Sequence, residues 1–152
     1  MMRRAWISAP GQVGLVEADL PGPGPGEVQV ATDRVGICGS DLHALHGEHP
    51  FIPLPCSPGH EAVGHVVAVG DGVTSPSVGD RVLLEPNIVC GRCWYCTSGR
   101  YNLCERLEVV GCQLVGALAD RFNVRADRLH RVPGEMTDAQ AAMVEPLSTA
   151  TH

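Results

Sequence analysis

The chain has 152 residues, of which 44% are hydrophobic and 4% are aromatic, so one domain with an aliphatic core is expected. Its formal net charge is −6, and its 11 basic residues, all arginines, form no stripe, which argues against nucleic acid or an anionic membrane as a partner. The sequence has neither a signal-peptide pattern nor 18 consecutive apolar residues, so we expect no membrane span and a cytoplasmic location.

Short strands are predicted along most of the chain, in keeping with its 18 glycines and 12 prolines. Apolar and β-branched residues between turn signals place these strands at 3–8, 13–18, 27–35, 61–69, 81–85, 118–124 and 129–132.

Two short helices are also predicted. One covers residues 40–46, with Ser40 or Asp41 as its N-cap, and the other covers 137–142, with Thr137 as its N-cap. Residues 145–152 are competent to form a further helix. Many short strands with few helices predict a mainly β fold, namely a small and partly open β-barrel.

Four cysteines with short spacing predict a structural zinc site in a lobe of residues 86–106. Gaps of two, two and seven residues let all four thiolates surround one ion, and four sulfur ligands leave no position for a substrate. A pair of disulfides is the alternative, which short Cys-x-x-Cys gaps in an intracellular chain disfavour. The four residues are Cys90, Cys93, Cys96 and Cys104.

A second candidate zinc site combines Cys38, His60, Glu61 and Glu145. One thiolate, one imidazole and one carboxylate would leave a fourth position open, which is the pattern of catalytic zinc. Adjacent residues of a regular strand point to opposite faces, so His60 and Glu61 can share one metal only if the strand bends at its start. Taken singly, each of these residues is more often structural than ligating.

Four motifs resemble segments of the zinc-containing medium-chain alcohol dehydrogenases. Residues 59–73 (GHEAVGHVVAVGDGV) resemble the family's signature, 36–43 (GICGSDLH) its first catalytic-zinc segment and 79–82 (GDRV) its turn. The four-cysteine segment resembles its structural-zinc lobe. Residues 144–147 (VEPL) resemble the polyol and sorbitol, or threonine, dehydrogenase branch, in which a glutamate stands at this position.

The resemblance implies a fold and a division of labour. Residues 1–152 would be a GroES-like catalytic domain, in the form of a partly open β-barrel with short helices and the zinc lobe. The family's Rossmann domain, which binds NAD or NADP, has no counterpart here, because no Gly-x-Gly-x-x-Gly follows a strand. We therefore expect the chain alone to be inactive, and the intact enzyme to form a homo-oligomer.

The resemblance also implies roles for individual residues. Two zinc ions per chain are expected, with Cys38 and His60 holding the catalytic one and either Glu145, which we prefer, or Glu61 completing its ligands. The predicted catalytic residues are Ser40, His43 and Glu61, with Ser40 and His43 relaying the hydroxyl proton to solvent. Asp41 would orient a zinc ligand. The alternatives for Ser40 and Asp41 are helix capping.

The implied function is oxidation of a secondary alcohol or polyol, a small-molecule substrate, by hydride transfer to NAD or NADP. Two alternatives belong to other classes. A stand-alone zinc-binding module would act in structure or interaction without catalysis, and a zinc hydrolase or lyase would need no nicotinamide. Retention of all five residues that the relay and the catalytic site require favours the dehydrogenase: Cys38, Ser40, His43, His60 and Glu145.

Overall fold

An open antiparallel sheet of five strands forms the centre of the fold, as seen in a computed structural model that describes residues 1–151. The strands in these residues are β1 (Met2–Ala9), β2 (Gln12–Ala18), β3 (Glu27–Val35), β4 (Ala62–Val69), β5 (Arg81–Leu84), β6 (Asn87–Ile88), β7 (Glu108–Val109), β8 (Arg121–Arg125) and β9 (Leu129–Arg131). The central sheet has the order β8–β3–β4–β5–β9, while β1–β2 and β6–β7 form separate pairs.

Four short helices accompany the strands in the described part of the chain: α1 (Gly39–His46), α2 (Trp94–Thr97), α3 (Asp138–Ala142) and α4 (Val144–Thr151). Single 3₁₀ turns follow at Tyr101–Leu103 and Ala126–Arg128. The prediction of a mainly β fold with an open sheet and short helices is confirmed.

Aliphatic side chains on one face of the sheet make the main core. Val28, Val30, Val66, Val82 and Leu84 are each at most 1% exposed, and they come from the three adjacent strands β3, β4 and β5. The period-two alternation of these strands sends the same residues inward, so one apolar layer stabilises the whole sheet. The backbone of β1 joins this body where Ala5 N–H donates to the Leu118 carbonyl at 2.8 Å.

Several predicted boundaries need correction. The strand predicted at 118–124 begins only at Arg121, because the preceding residues bond to the loop before His60: Gly116 and Leu118 donate to the carbonyls of Ser57 and Pro58. Glu61 lies in a bend, and β4 begins one residue later.

The structure corrects the predicted N-cap of α1 and confirms the predicted N-cap of α3. The N-cap of α1 is Cys38, so the prediction of Ser40 or Asp41 at that position was wrong. Asp41 lies at the third helical position and accepts the Cys38 N–H instead, as the acidic member of a capping box does. The prediction of Thr137 as the cap of α3 is confirmed, since its hydroxyl accepts the N–H of Gln140 at 3.3 Å.

No helix within residues 1–151 is long and apolar enough to cross a membrane.

Candidate metal centres

The four-cysteine lobe brings its sulfur atoms together at the spacing of a metal site. All four ligand atoms lie within 4.8 Å of one another, and the Cys90–Cys96 and Cys93–Cys96 sulfur distances are 3.9 and 3.5 Å. A disulfide would need about 2.05 Å. Tetrahedral ligands at about 2.3 Å from zinc stand about 3.8 Å apart. The geometry therefore fits one tetrahedral ion and excludes the disulfide alternative.

Backbone N–H groups, desolvation and neighbouring sulfurs shift the pKa values of these thiols. Cys90 and Arg106 N–H groups point at Cys104 Sγ at 3.3 and 3.4 Å. The N–H groups of Arg92 and Cys93 lower the pKa of the Cys90 thiol to about 6. Desolvation, followed by the neighbouring sulfurs, raises the pKa of Cys96 to about 12. Four sulfurs this close carry four negative charges only around a cation, which is the chemistry of a structural zinc ligand set.

The second group joins residues from two separate segments of the chain. The ligand atoms of Cys38, His60 and Glu61 also lie within 4.8 Å of one another. His60 and Glu61 are 6% and 7% exposed, while Cys38 is half-buried. Burying a carboxylate beside a thiol is unfavourable unless a cation or proton balances it. The donor set of sulfur, nitrogen and oxygen fits Zn²⁺ with one position left open.

Two glycines let His60 and Glu61 face the same point. The bend at Glu61 breaks the strict alternation of β4. Gly36 packs directly against the Glu61 carboxylate, where an added Cβ would lie 2.0 Å from an oxygen. Gly59 has φ +100°, and its Cβ would lie 2.6 Å from the Leu118 nitrogen. At Gly59 only glycine fits at low cost, because the backbone has a positive φ and the close neighbour is backbone.

Asp41 connects both halves of this cluster. Its carboxylate accepts the N–H groups of Cys38 at 3.0 Å and Gly59 at 3.3 Å, and it is 6% exposed. The same carboxylate lies 3.9 Å from His60 Nδ1. That nitrogen is buried and has no hydrogen-bond partner among the described residues. A charged group that fixes the backbone of one ligand and faces another is typical of metal sites.

Glu145 lies beside the cluster without joining it. It occupies the first turn of α4, and among residues 1–151 the grouped ligand atoms are those of Cys38, His60 and Glu61. Desolvation raises the pKa of Glu145, while nearby His60 lowers it and Glu61 raises it further. The charges of both residues therefore act on the Glu145 carboxylate. Of the two candidate carboxylates, Glu61 is the one that the fold groups with Cys38 and His60.

Ser40 and His43 lie on the same side of α1, because residues three apart on a helix are neighbours. Ser40 is half-buried and His43 is exposed, with its Nδ1 3.7 Å from a Glu48 carboxylate oxygen. On this side of the helix, exposure to solvent increases from Ser40 to His43. Sequence reasoning missed the contact between Asp41 and Gly59. The sequence signal for it was the glycine immediately before the predicted ligand His60.

Comparison with known proteins gives the same fold and family. The model of the alcohol dehydrogenase GroES-like domain matches residues 24–134. Sorbitol dehydrogenase of Halalkalibacterium halodurans is 41% identical over 143 residues, covering 93% of this chain and 41% of the relative.

Two solved structures superpose closely. The Escherichia coli CFT073 short chain alcohol dehydrogenase RspB, complexed with NADH, has a TM-score of 0.93 at 37% identity, covering 99% of this chain and 44% of that one. A zinc-binding dehydrogenase of Sinorhizobium meliloti 1021 bound to NADP has a TM-score of 0.92 at 36% identity, covering 100% and 44%.

The chain spans less than half the length of these relatives. The family match covers most of the chain, and the structural match covers nearly all of it. The chain therefore belongs to the zinc-type alcohol dehydrogenase family and contains its GroES-like domain.

Proposed function

We propose that residues 1–152 are the catalytic domain of a zinc-dependent dehydrogenase that oxidises a secondary alcohol or polyol with NAD or NADP. The observation that carries this proposal is the buried Cys38–His60–Glu61 group, three different ligand types within 4.8 Å. Relatives that bind NADH or NADP, and one that is a sorbitol dehydrogenase, support it. The cofactor would bind to sequence outside these residues, and the intact enzyme would be a homo-oligomer.

The two candidate centres would have different tasks. Cys90, Cys93, Cys96 and Cys104 would hold a structural zinc with no open position. Cys38 and His60, with Glu61 or Glu145, would hold the catalytic zinc. When bound there, zinc supplies a Lewis acid that makes a hydroxyl group easier to deprotonate.

The chain's own residues would orient the site and carry the proton away. Asp41 would orient the ligands by holding the backbone of Cys38 and of Gly59, the residue before His60. Ser40, which is half-buried in the first turn of α1, would accept the proton first. His43 is exposed at the next turn of the helix, and it would pass the proton on to water. Burial of His60 and Glu61 keeps bulk water from the ligand side of the site.

Metal content and a chimera test the proposal. The purified chain should carry about two zinc ions and show no NAD(P)-dependent oxidation by itself. A chimera with these residues in place of the matching part of H. halodurans sorbitol dehydrogenase should oxidise secondary alcohols or polyols. Activity is measured as NADH or NADPH absorbance.

The matched control is the same chimera with Cys38→Ser, which should be folded and inactive. A folded chimera that carries two zinc ions but oxidises no alcohol or polyol would contradict the proposal. So would robust turnover by the 152-residue chain without a cofactor domain.

A further inference from the structure

A cavity of about 520 Å³ lies between β5, the cysteine lobe and α4. Ligand pockets for small molecules fall in the range of about 300–1,000 Å³. The main polar side chains on its wall come from all three regions: Glu85, Asn87, Tyr101, Asn102, His130 and Glu145. A cavity with several converging polar groups has the features of a small-molecule site.

Glu145 is the residue that this cavity shares with the proposed catalytic zinc site. It lies on the cavity wall in the first turn of α4. The preceding helix, α3, is anchored because Ala141 and Ala142 pack against Val63 of β4, close to the bend at Glu61. A zinc ion that took Glu145 as a ligand, as the proposed function allows, would therefore adjoin this cavity.

The cationic side chains near the cavity are already paired with carboxylates. Glu85 binds Arg128 through one carboxylate oxygen and His130 through the other, each at 2.9 Å. Arg128 and Arg125 also bind Asp127, at 3.2 and 2.6 Å. In residues 1–151 no arginine lines the cavity, and the chain contains no lysine. A phosphate or carboxylate on a ligand would face glutamates and find no free cation.

Two side-chain amides are free to bind a ligand. Neither the Asn87 nor the Asn102 side chain forms a hydrogen bond with another described residue, and they lie on β6 and in the 3₁₀ turn of the lobe. An amide offers both donors and an acceptor, which matches the hydroxyl groups of a polyol. A short apolar alcohol would leave these amides unused.

We propose that this cavity binds the part of the substrate beyond the reacting carbon, and that Asn87 and Asn102 select a neutral polyol over a phosphorylated polyol or a simple diol. The inference rests on the proposed function. It gives the lobe a role in substrate specificity. The zinc of the lobe would position Asn102 as a substrate contact and would also stabilise the local fold.

Amide NMR of the zinc-loaded chain tests this assignment with xylitol, sorbitol 6-phosphate and 2,3-butanediol as probes. Xylitol should shift the Asn87 and Asn102 side-chain signals in a saturable way, and more strongly than either other probe at equal concentration. Asn87→Ala and Asn102→Ala should each weaken xylitol binding about three- to tenfold, the effect of losing one hydrogen bond. Asn123→Ala, a matched amide outside the cavity, should leave the affinity unchanged.

The outcomes separate this inference from the proposed function. Tighter binding of sorbitol 6-phosphate, equal binding of 2,3-butanediol, or no xylitol shifts in the cavity of a chain with two zinc ions would overturn the cavity assignment alone. A chain that takes up only the zinc of the lobe would overturn the proposed function and this inference together.

Discussion

The two cysteine-containing centres are built in opposite ways. The lobe takes all four ligands from residues 90–104, and neither α2 nor its 3₁₀ turn contains a buried residue. The Cys38–His60–Glu61 group takes its ligands from two distant segments, and His60 and Glu61 are almost completely buried. One centre is local and poorly packed, whereas the other is a product of the tertiary structure.

The two centres therefore differ in whether metal binding is needed for the surrounding residues to fold. A lobe without its own core depends on metal binding to become ordered, as small zinc domains do. A group whose ligands lie on an established sheet and helix is ordered by the protein, and the metal then binds to prepared positions. Substitutions in the two centres should therefore have different consequences for folding.

The largest expected effect comes from Cys104→Ser. Cys104 is the buried member of the lobe, at 8% exposure, and two N–H groups point at its sulfur. A structural zinc contributes roughly 10 kcal/mol to the folding of a metal-dependent unit. The variant should lose one zinc per chain and the ordered structure of residues 86–106, measured by metal analysis and amide NMR.

Cys112→Ser is the matched control, since Cys112 belongs to neither group of ligands. It should keep both zinc ions and an ordered lobe. A Cys104→Ser variant with unchanged lobe signals would show that the lobe folds without its metal, and the contrast would fail.

A smaller effect is expected from Asp41→Ala. The substitution leaves the buried N–H groups of Cys38 and Gly59 without an acceptor. Each such loss costs about 1–3 kcal/mol, so the free energy of unfolding should fall by about 2–6 kcal/mol. Urea denaturation measures it, and metal analysis should show loss of the catalytic zinc with the lobe zinc retained.

Asp41→Asn keeps one acceptor oxygen, so its free energy of unfolding should fall by about half as much as that of Asp41→Ala. If both substitutions were neutral, Asp41 would not be the link between the helix and the His60 loop. Equal loss of zinc from both centres would also remove the distinction between them.

Sequence reasoning was most successful where the relevant contacts are local. The spacing of the four cysteines and the Thr137 cap depend on residues close in the chain, and the structure brings both together as predicted. The N-cap of α1 was assigned wrongly because Ser40 and Asp41 are both favourable cap residues, and only tertiary contacts place the start of the helix at Cys38.

The second centre depended on longer-range information. The bend at Glu61 and the contact between Asp41 and Gly59 arise from packing between segments 18 residues apart or more. No periodicity of the sequence encodes such a contact. The resemblance supplied the candidate ligands, and the structure groups Glu61, not Glu145, with Cys38 and His60.

The smallest effect on stability is expected from Cys38→Ser, and it is the sharpest test of the contrast. Serine is a better N-cap than most residues, and Cys38 already has the extended backbone of a cap, with φ −81° and ψ 157°. The substitution therefore removes a proposed metal ligand while it retains or improves the start of α1. The only stability lost should be that from zinc binding, about 2.7 kcal/mol when free zinc is 100 times its Kd. Thermal unfolding and metal analysis at matched free zinc should show a folded chain with one zinc, with Cys112→Ser again carrying two. Loss of soluble protein as severe as in Cys104→Ser would mean that both centres hold the fold together, because a site prepared by the protein does not need its metal in order to form.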